Sequence, residues 1–169
     1  MKNYISLSLF VLIFLFAQFI NAATLSEDAI QRGINPTCST YLDQIEKSYN
    51  LEGGINITFA HPEEPSIYPS LHISAKNYNN GSSTFSATLS PDQNYCYLST
   101  SLVTAVNNQS CNDITLLKLE ESPSLNSTTY SNGDYTILTP TDFSYQIILA
   151  TAGDNACTMT ETRMIWPGR

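Results

Sequence analysis

The side chains able to do chemistry are few in this chain, and their spacing limits what that chemistry can be. There are two histidines, His61 and His72. His61 stands just ahead of Glu63 and Glu64, an arrangement with metal-binding side chains close together. A zinc site needs three or four ligands held by firm structure, as in H-E-x-x-H on a helix. Here Pro62 and Pro65 interrupt the segment and the spacing is irregular, so the segment reads as a solvated loop with no metal. Serine is abundant, but no G-x-S-x-G elbow is present, and a triad assembled from distant residues has only these two histidines to draw on. Glu63-Glu64 and Glu120-Glu121 are paired carboxylates in Pro- or Ser-rich stretches. Glycosidic cleavage needs two carboxylates converging at about 5–10 Å across a cleft. The phosphate-cradling loop and the dinucleotide fingerprint are both absent. The chain leans away from catalysis, and no cofactor is implied.

Cysteine is the more informative residue. Cys38, Cys96, Cys111 and Cys157 are the only four, and an even count in an exported chain reads as disulfides. No Cys-x-x-Cys pair points to zinc or redox work. Cys96 begins a strand that runs to about Val106, rising about 3.3 Å per residue, and Cys111 lies just past its far end. A disulfide needs Cα atoms within about 7 Å, so Cys96–Cys111 fails on reach. Two pairings remain: Cys38–Cys96 with Cys111–Cys157, or Cys38–Cys111 with Cys96–Cys157. The first is favoured, because it pins a helix to a long hairpin and the Cys111 loop to the final hairpin.

Lys2, an apolar run over residues 5–20, and the small residues Ala22 and Ala23 have the layout of a secretory signal peptide. The run falls short of the roughly 20 apolar residues of a membrane span. Residues 1–22 therefore read as a cleaved leader and 23–169 as a single disulfide-bonded domain, with no membrane span left after cleavage. Lys2 is one of 7 basic residues against 15 acidic ones, so its removal takes the net charge from −8 to −9. A surface of that sign repels nucleic acid and anionic lipid. Charged residues are 13% of the chain, about half the usual share. Ser, Thr and Asn take their place, as is common in extracellular β-rich proteins. Sequons at Asn56, Asn80, Asn108 and Asn126 are N-glycosylation sites if the host glycosylates.

Tyrosine gives large contact area at low entropic cost, but it also packs well in strands. Tyr41, Tyr49, Tyr95, Tyr97 and Tyr145 read as packing residues. Tyr68, Tyr78 and Tyr130 fall beside turns and read as candidate contact residues for a partner.

The elements that must position these groups follow from periodicity. Residues 25–32 read as one or two helical turns capped by Ser26 and stopped by Gly33. Asn35 and Pro36 suit the N-cap and first position of a longer helix. Cys38, Tyr41, Leu42, Ile45 and Tyr49 then recur at helical spacing on one stripe. After Gly54 the pattern is strand and turn. Strands are expected over 55–60 and 71–78, with a hairpin turn at 79–82. A long hairpin over 84–106 follows, its Phe85, Ala87 and Leu89 alternating with Thr and Ser before a turn at 90–94. Residues 107–113 read as a loop, 114–119 as an apolar segment of either type, and 120–134 as a mobile loop. A strand over 135–138 and a final hairpin of 143–149 with 157–166 complete the chain. The two long hairpins align: Phe85, Ala87 and Leu89 with Tyr145, Ile147 and Leu149, and Cys96 with Cys157, if the second turn has one extra residue. Ordinary hairpin periodicity explains such a match, and so does a duplicated β-unit.

The expected fold is α+β: an N-terminal amphipathic helix packed on a mainly antiparallel β-sheet of five to seven strands, built from long hairpins and stapled by two disulfides. The expected function is that of a secreted, extracellular or periplasmic protein. It binds or inhibits another macromolecule, without catalysis, through loops and a sheet edge. A small secreted hydrolase and a structural surface or assembly subunit are the alternatives. Cleavage after Ala22 or Ala23 predicts a secreted product that begins at Ala23 or Thr24. N-terminal sequencing reads this directly, and a membrane-held product starting at Met1 would refute it.

Overall fold

The computed structural model describes residues 23–130 and 135–165. The leader assigned to residues 1–22 lies outside the described residues, as do 131–134 of the expected mobile loop and 166 at the end of the last strand. The first helix, α1 (Leu25–Gln31), opens with a capping box at Thr24. Its hydroxyl accepts from the Glu27 N–H, and the Glu27 carboxylate accepts from the Thr24 N–H. Ser26, the expected cap, lies inside the helix and donates to the Ser39 carbonyl. Thr24 wins because it has a Glu three residues on, and Ser26 does not. The second helix, α2 (Pro36–Ser48), is capped by Asn35 and buries Cys38, Leu42 and Ile45 as its stripe requires. Glu46 is buried beside them and accepts from the Leu25 N–H at 3.3 Å, which ties the two helices together. Burial pushes the Glu46 carboxyl above its ordinary range.

Beyond Gly54 the described residues form eight strands: β1 (Ile55–Phe59), β2 (Ser70–Tyr78), β3 (Gly81–Asp92), β4 (Tyr95–Asn107), β5 (Leu125–Tyr130), β6 (Tyr135–Pro140), β7 (Tyr145–Thr151) and β8 (Ala156–Ile165). They make one antiparallel sheet in the order β1-β2-β3-β4-β8-β7-β6-β5. Gly81 is required where it stands, since a Cβ there would run into the Ala105 carbonyl of β4. β3 continues through Pro91, so its turn is only Gln93 and Asn94, with Gln93 at φ 50°.

A third helix, α3 (Cys111–Glu121), lies between β4 and β5. It corrects the loop expected over 107–113 and resolves the ambiguous segment after it. Ser110 and Asp113 form its capping box. The helix is hard to see in the sequence because its apolar residues do not fall on one stripe: Ile114 is buried while Leu116 and Leu117 are exposed. The expected mobile loop contains β5, whose Ser- and Thr-rich residues after Leu125 are all exposed.

The two halves of the chain repeat one plan. In each, a helix with a cysteine in its first turn precedes a four-stranded meander, and that cysteine is bonded to the second residue of the fourth strand. The bridges are Cys38–Cys96 and Cys111–Cys157, the favoured pairing. Leu89 pairs with Leu98, and Leu149 with Met159, which puts Phe85, Ala87 and Leu89 in correspondence with Tyr145, Ile147 and Leu149. The offset that carries Cys96 onto Cys157 also carries Ser101 onto Thr162, and these two residues pair with each other. A pseudo-twofold axis therefore passes between them. Hairpin periodicity alone does not place two helices, two bridges and a shared axis in register, so the structure favours the duplicated unit.

The three described helices pack on one face of the sheet. α1 and α2 cover Phe85, Ala87, Leu89 and Leu98, and α3 covers Leu138, Ile147 and Leu149. The bridges span 58 and 46 residues, so each restricts the unfolded chain by about 4 kcal/mol, within a few tenths of one another. Cys38→Ala/Cys96→Ala and Cys111→Ala/Cys157→Ala should therefore cost nearly the same in urea unfolding. A gap beyond about 2 kcal/mol would mean that chain restriction does not set the size of the effect.

Candidate binding surface

Alternation places Asn56 and Thr58 on one side of β1 and Ile55, Ile57 and Phe59 on the other. It does not say which side meets the core. In the folded chain the polar side faces the helices. Thr58 is buried, whereas Ile55, Ile57 and Phe59 are 71%, 45% and 56% exposed. β2 follows in register. Ser70, His72 and Ser74 are buried, while Leu71 and Ile73 pair with Phe59 and Ile57 on the open face. The β1–β2 hairpin is thus turned inside out relative to an ordinary amphipathic sheet, and α1 packs on its polar side.

Hydrogen bonds hold that polar side together. The Thr58 hydroxyl lies 3.1 Å from His72 Nδ1, and the Ser70 hydroxyl 2.8 Å from His72 Nε2. His72 takes the place that Leu138 fills in the second half, since His72 pairs with Ala87 as Leu138 pairs with Ile147. Burial lowers the His72 pKa from 6.5 to about 4, Asp28 on α1 opposing the shift and Arg32 adding to it. The imidazole is therefore neutral at physiological pH, giving a proton to one hydroxyl and accepting one from the other. Two further inward atoms, Asn56 Oδ1 and Ser74 Oγ, have no partner, at a cost of about 1–3 kcal/mol each.

A serine hydroxyl on a histidine nitrogen is also the contact of a nucleophile and its base. Ser70 and His72 are 3% and 0% exposed, so no substrate reaches them. His61, the other histidine, accepts from the backbone N–H groups of Glu63 and Glu64 and so shapes its own loop. Among the described residues no group of three or more His, Cys, Asp or Glu could hold a metal ion.

On the helix face, α2 and β8 flank a groove of about 490 Å³. Its charged residues are Glu161 and Arg163. The Glu161 carboxylate accepts from Arg163 at 3.1 Å and from the Tyr49 hydroxyl at 3.4 Å, and the Arg163 guanidinium lies over the Tyr145 ring. These contacts tie α2 to β8 across the groove.

The three contact tyrosines expected from the sequence do not converge. Tyr68 stacks on His61 in the loop after β1, with ring centroids 4.6 Å apart. Tyr78 closes β2 at the opposite end of the sheet and accepts from the Ser83 hydroxyl. Tyr130 ends β5 at the far edge, six strand spacings or roughly 29 Å from β2. Tyr41, Tyr49 and Tyr145 pack against the cores, but Tyr95 is 56% exposed, a correction to its expected packing role. Of the sequons, Asn80, Asn108 and Asn126 are exposed. Asn56 instead donates to the Ala23 carbonyl at 2.8 Å. Ile55, Ile57 and Phe59 are absent from the contact residues that the sequence suggests. The one signal available there was a strand without charge, proline or glycine.

No family model, curated protein or solved structure matches this chain. The hairpin's own chemistry supplies a test. Between pH 6.5 and about 4 the unfolded chain takes up a proton on His72 that the folded chain refuses. Stability is whole above the unfolded pKa and falls as pH drops through this window, by up to about 3 kcal/mol. His72→Leu, which installs the residue found at position 138, should flatten that slope in urea unfolding at a series of pH values. An unchanged slope would show that His72 is not the titrating group.

Proposed function

We propose that this chain is an exported, non-catalytic binding protein that takes another macromolecule on β1 and the open face of the β1–β2 hairpin. The observation that carries it is the inversion itself. Facing Ile55, Ile57 and Phe59 partly to water forfeits roughly half of the about 1.5–3 kcal/mol that full burial of each would supply, and the inward polar residues need a hydrogen-bond network to compensate. Exposed apolar patches of this kind mark interaction sites. An uncharged strand at a sheet edge is a hazard that proteins ordinarily blunt with charge, proline or a bulge. β1 has no charged residue and no proline. Export is supported by the two disulfides with no free cysteine among the described residues. No described helix is long and apolar enough to cross a membrane.

The test is capture from culture supernatant with the mature chain as bait, comparing Ile57→Lys on β1 with Thr128→Lys on the other edge strand, β5. Both are surface changes expected to alter stability by less than about 1 kcal/mol. Ile57→Lys should abolish capture of the partner and Thr128→Lys should leave it intact. Equal capture by both variants would refute the assignment.

A further inference from the structure

Resting on that assignment, we infer that the partner presents an extended segment, apolar at alternate positions and flanked by Lys or Arg, which adds as a further strand along β1. The backbone is available for this. β1 is the end strand of the sheet, and no backbone hydrogen bond from outside the sheet reaches it among the described residues. An added strand satisfies those outward N–H and C=O groups, and its alternate side chains supply the specificity.

The side-chain rows say which alternation fits. On the open face an incoming residue opposite Ile57 extends the row Ile57–Ile73, and one opposite Phe59 extends Phe59–Leu71. Those positions want apolar side chains. The intervening positions lie beside Asn56 and Thr58 on the helix face and want polar ones. The other edge, β5, is likewise free of charge and proline, but it lacks the apolar row, since it turns Asn126, Thr128 and Tyr130 to its open face.

Charge selects the flanks and argues against other occupants. Between Lys47 and Lys76 the chain has no Lys or Arg, but it has Glu52 just before β1 and Glu63 and Glu64 just after it, all exposed. Lys47 is paired with Asp43, and Lys76 donates to the Asn50 carbonyl. Both ends of the edge are therefore acidic. A second copy pairing antiparallel about Ile57 would set Glu52 of one chain against Glu63 and Glu64 of the other, which is repulsive. An anionic lipid surface is repelled in the same way. A cationic, apolar, extended segment of another protein meets the edge without conflict.

The experiment uses the mature chain and three fluorescein-labelled peptides, KKVTITVKK, EEVTITVEE and KKTSTSTKK, read by anisotropy. KKVTITVKK should bind about tenfold or more tighter than EEVTITVEE at low salt, with the gap closing near 1 M salt, where the Debye length is about 3 Å. It should also bind about tenfold tighter than KKTSTSTKK, which lacks the apolar row. Ile57→Ser/Phe59→Ser should abolish binding, Glu63→Gln/Glu64→Gln should narrow the gap between the two flank variants while Glu52 keeps part of it, and Thr128→Lys should change nothing. The glutamine pair alters only exposed loop charge, so it remains decisive if the serine pair fails to fold. Equal affinity for Lys and Glu flanks overturns the charge assignment, and equal affinity for KKTSTSTKK overturns the strand. A concentration-dependent dimer that Ile57→Lys dissociates, with no peptide bound, makes a second copy the occupant and also overturns the inference. If no peptide binds while Ile57→Lys still abolishes capture from supernatant, strand addition fails and the binding assignment stands. If capture is indifferent to Ile57→Lys, both fail.

Discussion

Ten residues of β4 pair with ten of β8, and the rest of the architecture depends on that ladder. Each half, taken alone, is a helix on a four-stranded meander with an open strand at both sides. Unpaired strand edges expose rows of backbone donors and acceptors, and a chain with four of them would invite association without control. Joining the fourth strands about the axis between Ser101 and Thr162 buries two edges in the centre of one sheet. Among the described strands only β1 and β5 remain as edges. The bridges act on the same strands, each tying the start of a fourth strand to the helix that covers it.

Because the two remaining edges begin as equivalents, their differences are informative. A core position of the sheet is Leu138 in one half and His72 in the other. The histidine comes with Thr58 and Ser70 bonded to it and with an additional helix, α1, over the hairpin. Among the described residues the second half has no counterpart of α1. The inversion of β1 and β2 is thus a coordinated change. Polar residues turn inward where they can bond one another, and apolar residues turn outward at a strand that has no neighbour. The two orphaned oxygens on Asn56 and Ser74 mark where that compensation is incomplete.

Elsewhere the reactive-looking groups are occupied with each other. Glu161 is held by Arg163 and Tyr49, and His61 by the loop it shapes. These contacts organise the helix face and the loop after β1. The open hairpin face instead sets three exposed apolar side chains, Ile55, Ile57 and Phe59, in one row along a sheet edge.

The sequence by itself determined what depends on neighbours along the chain. The stripe from Cys38 to Tyr49 specifies α2, and Asn35-Pro36 its start. Alternation specifies the long strands, and the distance along the strand from Cys96 to Val106 excludes one bridge. The hairpin correspondence was visible too, as far as Cys96 and Cys157. Tertiary structure decided what depends on distant partners. α3 has a local start in the Ser110–Asp113 capping box, but its own apolar pattern is scattered, and the bridge to β8 fixes it on the sheet. β5 is a strand because β6 pairs with it, although its residues read as loop. Above all, a period of two is the same whichever face is buried. Whether Ile55, Ile57 and Phe59 met the core or the solvent was settled only when α1 and His72 gave Thr58 and its polar neighbours a place to bond.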